Sequence, residues 1–280
     1  MEKIAILTDS ACDLPAHLIE KFKIHVLPLK VIYGDKCYSD RVDIQPAEVY
    51  ARMPDEIPTT SMPSPEEIHT ALKRIKADGF SHVIAIHLSS ALSGTCANVH
   101  HAAKEIDNII IKVFDSKTLS FGTGWIVLDT ARRIANGLSF NHIWEHIQHL
   151  PDKIDVFYVV ETLEYLRRGG RIGKVAGMLG HILHLRPIIS VDANGEYYTY
   201  AKTRGYKKSI EKLVEIVGNT VQQKRINLAV LNGGANEECN KLVARLSSLP
   251  NINELIQIDI TPSLVVHTGP GSLGIATFEI

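Results

Sequence analysis

At 280 residues the chain suits one large or two medium α/β domains, and 45% hydrophobic, 22% charged and 6% aromatic residues supply aliphatic cores and exclude general disorder. Thirty Lys plus Arg against 31 Asp plus Glu leave a formal charge of −1, which excludes a general nucleic-acid binder, whose affinity rests on phosphate neutralisation. Cys12, Cys37, Cys96 and Cys239 stand far apart with no zinc spacing, and no apolar run approaches the roughly 20 residues of a membrane helix; free thiols, no metal and a cytoplasmic location are expected.

In chain order, Lys3–Leu7 reads as a strand and Leu14–Phe22 as a helix. Ser64-Pro65-Glu66-Glu67 starts the next helix, Pro65–Lys76, because the Ser64 hydroxyl can cap the Glu67 amide while Pro65 fits the first helical position. Strand His82–Leu88, helix Ala97–Glu105, strand Ile109–Phe114 and helices Trp125–Ala135 and Leu138–His149 follow. This alternation predicts a largely parallel sheet flanked by helices. A break at Pro151-Asp152-Lys153 divides an N-terminal α/β domain, residues 1–152, from a C-terminal α/β domain with a mixed sheet, residues 153–280. The second half reads as strand Ile154–Val160, helix Ala176–Leu185, a hairpin turning at Asn194-Gly195, helix Lys208 to about Gln222, strand Ile226–Leu231, helix Ala235–Leu249, strand Leu255–Ile260 and a β-like tail from Gly274 to Ile280.

Each clear N-terminal strand ends in small polar residues: Thr8-Asp9-Ser10, Ser89-Ser90 and Asp115-Ser116. In a parallel sheet those ends share one edge, where ligands bind at topological switch points; helix capping accounts for Ser10, Ser64 and Ser116 equally well. Ser93 and Gly94, between strand and helix, suit an anion such as a phosphate or carboxylate, since backbone amides and the helix dipole converge there. Thr60 and Ser61 are free for a ligand if Ser64 is the cap. The nucleophile-elbow pattern G-x-S-x-G is absent, which argues against hydrolysis through Ser93.

Gly269-Pro270-Gly271-Ser272-Leu273-Gly274 matches the dinucleotide pattern but no helix can open after it, and Gly169-Gly170-Arg171-Ile172-Gly173-Lys174 lacks the spacing and hydroxyl of a P-loop. No cofactor is expected. Two basic clusters, Arg167, Arg168, Arg171 and Lys174, and Lys202, Arg204, Lys207 and Lys208, fit either solvated surface or a docking patch.

Thr8-Asp9-Ser10, Thr60-Ser61-x-Pro63-Ser64, Leu92-Ser93-Gly94-Thr95, Asp115-Ser116, the run Thr162 to Ile172 and His267-Thr268-Gly269-Pro270-Gly271, in this order, closely resemble the DegV family across essentially the whole chain. The resemblance implies a non-catalytic subunit with its ligand site between the domains. It implies one bound long-chain fatty acid, whose carboxylate a separate fatty acid kinase subunit phosphorylates with ATP to an acyl phosphate for phospholipid synthesis. It carries over Thr60, Ser61, Ser93, Gly94 and His267 as carboxylate-site residues. Arg171 and His267 are carried over as groups assisting phosphoryl transfer, and Arg171, Lys202 and Arg204 as partner contacts, with transient contact to a membrane surface. Helix Ala176–Leu185, with Met178, Leu179, Ile182 and Leu183, is a candidate acyl-tunnel wall, with ordinary core packing the commoner alternative for any single residue. The alternative is an enzyme of the dihydroxyacetone-kinase-like fold that acts on a small carbonyl or phosphate compound through His267.

Overall fold

The computed structural model describes residues 2–53, 55–178 and 185–280. The first half runs β1 (Ile4–Asp9), α1 (Ala16–Phe22), β2 (His25–Leu27), β3 (Lys30–Tyr33), β4 (Lys36–Ser39), α2 (Pro46–Arg52), β5 (Thr59–Ser61), α3 (Pro65–Ala77), β6 (His82–His87), α4 (Thr95–Ala103), β7 (Ile110–Asp115), α5 (Phe121–Ala135) and α6 (Phe140–Ile147). The second runs β8 (Ile154–Val159), α7 (Glu164–Arg168), β9 (Leu185–Val191), β10 (Tyr197–Arg204), α8 (Tyr206–Gln223), β11 (Ile226–Gly233), α9 (Asn236–Leu246), β12 (Ile252–Asp259), α10 (Pro262–Thr268) and β13 (Ser272–Glu279).

The strands β2-β1-β6-β7 form a parallel sheet whose inner members are almost wholly buried, which is why they read as continuous aliphatic runs. The chain passes to opposite sides of β1 to make β2 and β6, so the switch point lies at the carboxyl ends of β1 and β6. The mixed sheet β10-β9-β8-β13-β11-β12 is antiparallel except for the β11–β12 pair. The fold class is therefore α/β with one parallel and one mixed sheet, as the alternation of runs predicts.

Helix α5 joins the two halves. Phe121, Trp125, Ile126, Val127 and Leu128 are fully buried around it, and the Trp125 indole N–H donates to the Ala276 carbonyl of β13 at 3.1 Å. The first two turns of α5 are buried on all sides and need cover on all sides, which β1, β6, β8 and β13 supply. Helix α3 begins as its sequence predicts: Ser64 Oγ accepts the Glu67 amide at 3.2 Å, and Glu67 accepts the Ser64 amide at 2.8 Å.

Two expectations change. The stretch before α3 forms a third, antiparallel sheet, β4-β3-β5, so Thr60 lies on a strand paired with Val31, not in a loop. Its strands are three or four residues long, too short for periodicity to register, although the Gly34-Asp35 turn with Gly34 at φ +54° is a hairpin signal. The expected helix Ala176–Leu185 is replaced at its start by a 3-10 segment, Gly173–Met178, and residues 179–184, with the proposed wall positions Leu179, Ile182 and Leu183, lie outside the described residues, as does the Met178 side chain.

Candidate functional site

Three backbone elements distant in sequence deliver the polar groups of one cavity. Thr60 comes from β5, Ser93 and Gly94 from the loop between β6 and α4, and His267 from the last turn of α10. With Ser61, Met62, Arg171, Tyr197, Ser263 and the leucines 29, 88, 92 and 264, they line a cavity of about 170 Å³. Thr60 Oγ1 lies 2.8 Å from His267 Nε2, a bond across 207 residues of sequence. His267 Nδ1 is buried without a partner among the described residues.

Burial pushes His267 down to about 4, helped by the positive charge of Arg171, so the ring is neutral at neutral pH. A neutral imidazole has one N–H. With the proton on Nε2, His267 donates to the Thr60 oxygen and leaves the Thr60 O–H to donate into the cavity. Close approach is built in: a Cβ on Gly169 would sit 2.1 Å from His267 Nδ1, so only glycine fits beneath the ring.

Ser93 Oγ is 2.9 Å from Thr95 Oγ1 and accepts the Thr95 amide, at the start of α4 where anions are favoured. No histidine bonds Ser93 among the described residues. Ser61 and Gly94 are exposed at the cavity mouth; Ser61 Oγ donates to the Met62 carbonyl. Arg171 Nε donates to the Leu92 carbonyl at 3.3 Å and Nη1 to the Gly169 carbonyl at 2.7 Å. It therefore clamps the Ser93 loop to the turn after α7, and it also lines a second cavity of about 280 Å³ with Arg168, Tyr165, Thr60 and His267.

The other strand-end hydroxyls do not reach this cavity. Ser10 donates to Asp40 at 2.7 Å, Ser116 lies 2.9 Å from Thr123, and Ser89 donates to the Gly195 carbonyl at 2.9 Å. None of the three caps a helix by its side chain. Asp9 and His87, both fully buried at the switch point, are joined at 2.9 Å, and Asp9 also accepts the Ala11 and Leu88 amides. These groups shape the sheet edge, while Ser93 and Gly94 of the loop that follows line the cavity.

A small apolar cavity of about 30 Å³ lies beside the polar one and shares Leu264 with it; Val156, Tyr158, Leu231, Ile260 and Leu273 are among its walls. The basic clusters differ in kind. Arg167 and Arg168 are both paired with Glu164, and Lys174 with Asp192 and Glu196. Lys202, Arg204, Lys207 and Lys208 are exposed at the end of β10 and the start of α8, with no ion pair among the described residues. Leu29, Met62, Tyr197, Ser263 and Leu264 have no sequence signal for the site, although Thr261-Pro262 marks a helix start as Ser64-Pro65 does.

No helix among the described residues is long and apolar enough to cross a membrane, and no cluster there could hold a metal ion. The sequence model of the DegV family, described as an uncharacterised protein, matches residues 3–279. A DegV domain-containing protein of Clostridium acetobutylicum is 43% identical over 279 residues, covering 100% of both chains. Among solved structures, a DegV family protein from Thermus thermophilus, described by its fatty acid binding, superposes with a TM-score of 0.92 at 30% identity over 99% of this chain and 100% of that one. DegV of Bacillus subtilis, described as a fatty acid binding protein, gives a TM-score of 0.92 at 29% identity over 100% of both chains. The chain belongs to the DegV family.

Proposed function

We propose that this protein binds one long-chain fatty acid and presents its carboxylate to a separate kinase subunit, which phosphorylates it with ATP to an acyl phosphate for phospholipid synthesis. The observation that carries the reading is the convergence of Thr60, Ser93 and neutral His267 on one cavity of about 170 Å³ whose lining also includes four leucines. The fatty acid binding described for the Thermus and Bacillus relatives supports it.

The chemistry follows from the donors. Thr60 and Ser93 hydroxyls orient a carboxylate with one hydrogen bond each, and Arg171 lends positive charge while two of its donors are held by backbone carbonyls. Neutral donors leave one carboxylate oxygen nucleophilic enough to attack the terminal phosphorus of ATP, with ADP as the leaving group. A bidentate arginine clamp would hold both oxygens and suppress that attack. The acyl tail supplies affinity, at roughly 0.8 kcal/mol per buried methylene. Leu29, Leu88, Leu92 and Leu264 of the polar cavity meet the tail first; the apolar cavity beyond Leu264, about 30 Å³, has room for no more than one or two waters and must widen to admit it. Arg168 and Arg171, in the neighbouring cavity that shares Thr60 and His267 with the first, receive the phosphoryl group, and Lys202 and Arg204 dock the kinase. The protein works in the cytoplasm, in transient contact with membrane surfaces, and has no activity of its own.

Two features favour presentation over capture of a small carbonyl compound on His267: its Nε2 is engaged by Thr60 and its Nδ1 is buried. Native mass spectrometry of the purified protein tests the reading. One long-chain fatty acid per chain, converted to acyl phosphate when the kinase subunit and ATP are added, is expected; an empty protein that takes up no added palmitate overturns it.

A further inference from the structure

Two buried carboxylates lie where the N-terminal half meets α10, and the function proposed above uses neither. Asp40, just after β4 and 1% exposed, accepts hydrogen bonds from Ser10 Oγ at 2.7 Å, Thr261 Oγ1 at 2.6 Å and Ser263 Oγ at 2.6 Å. Asp13, also 1% exposed, accepts the Ser120 hydroxyl at 2.6 Å and the Thr261 amide at 2.7 Å, with Arg41 at 3.4 Å. Ser10 and Asp40 belong to the first half, Thr261 and Ser263 to the start of α10. Asp40 also reaches the opposite wall of the polar cavity. Its amide donates to the Leu29 carbonyl at 2.9 Å, and Ser10 Oγ accepts the Leu29 amide at 3.0 Å.

Burying a carboxylate costs several kcal/mol, and Asp40 has no cation in contact among the described residues, so its three hydroxyl donors must offset that cost. Apolar side chains would close the same seam without the desolvation penalty. They would not set the rotation of α10, because apolar contacts are non-directional. Hydrogen bonds to Thr261 and Ser263 fix that rotation, and with it where Leu264 and His267 point. Thr261 looks in sequence like an ordinary helix cap ahead of Pro262, yet its hydroxyl is given to Asp40 and caps nothing.

We infer that Asp40, supported by Asp13, is a positioning residue for the ligand site: through Thr261 and Ser263 it sets the rotation of α10 and so the placing of His267 against Thr60. This rests on the proposed carboxylate site for its functional consequence, but the placing of the ring can be read without any ligand.

The test uses the full chain as Asp40→Asn and Ser263→Ala, with Ser139→Ala as a control that removes the remote cap of α6, where Ser139 Oγ accepts the His142 amide. Ser263→Ala removes one hydroxyl and keeps the fold if Asp40→Asn does not. The readouts are the His267 imidazole nitrogen resonances of the ligand-free protein and palmitate affinity well below the melting temperature. Both substitutions should shift the His267 resonances and weaken palmitate binding on the order of tenfold, about one hydrogen bond's worth, whereas Ser139→Ala moves neither. Unmoved His267 resonances overturn the inference, and so does unchanged palmitate affinity in variants whose ring has moved. If the wild-type protein binds no palmitate, the fatty acid reading fails while the His267 resonances still decide the role of Asp40.

Discussion

Thr60 and Ser93 contribute to the proposed site through single hydroxyls, so their removal can be priced. A hydrogen bond to a charged acceptor is worth about 1.5–3 kcal/mol. Thr60→Ala with Ser93→Ala should therefore weaken palmitate binding by roughly a hundredfold or more with the fold intact, as followed by calorimetry and circular dichroism. Gly169→Ala is a steric counterpart: its methyl would meet His267 Nδ1, so the ring must swing off Thr60, and a comparable loss of palmitate affinity is expected. Arg171 holds the Ser93 loop and is also proposed to assist phosphoryl transfer. Because its guanidinium holds the Leu92 carbonyl, Arg171→Ala should both lower phosphorylation by the kinase and loosen the Ser93 loop. Single-turnover assays at saturating palmitate isolate the first effect; wild-type turnover there removes Arg171 from phosphoryl transfer.

Among the elements, β10 carries the proposed docking residues. It is an edge strand of the mixed sheet, and its end carries Lys202 and Arg204 with no internal ion pair among the described residues, unlike Arg167, Arg168 and Lys174. Edge charges also guard against strand-to-strand aggregation, so exposure by itself does not separate the roles. Lys202→Glu with Arg204→Glu should leave palmitate affinity unchanged and slow phosphorylation by the kinase on the order of tenfold at low salt, the difference shrinking as ionic strength rises. Equal turnover at all salt concentrations would assign docking elsewhere.

Across the whole molecule, two buried titrations oppose each other. Burial raises Asp13 from 3.8 to about 7 against the pull of Arg41 and the bonds from Ser120 and Thr261. The folded state therefore holds a proton that the unfolded chain releases above 3.8, and stability falls as pH rises toward 7. His267, lowered from 6.5 to about 4, works the other way: the unfolded chain binds a proton first, and stability falls as pH drops from 6.5 toward 4. Each contributes a slope of at most about 1.4 kcal/mol per pH unit, so the two nearly cancel between pH 4 and 6.5. Denaturation of Asp13→Asn should show stability lost on acidification across that window, and His267→Gln should show stability gained. Parallel profiles for both variants and the wild type would contradict these assignments.

The long aliphatic strands β1, β6 and β11, the Ser64-Pro65 helix start and the Asn194-Gly195 turn were legible in the sequence, because each rests on residues within a few positions of one another. So was the membership of Thr60, Ser93 and His267 in one family pattern. Strands β3 to β5, too short to show a period, and the partners of the strand-end serines were not. Ser10 donates to Asp40 and Ser89 to Gly195, across 30 and 106 residues, and no local rule distinguishes such a bond from a cap. What the sequence by itself determined is the set of chemical groups and the local segments that carry them. Only the tertiary structure decided which groups meet, because burial between α5, α10 and the two larger sheets selects the pairs that can satisfy one another, and it brought Thr60 and Ser93 to one cavity with His267 while the strand-end serines were paired elsewhere.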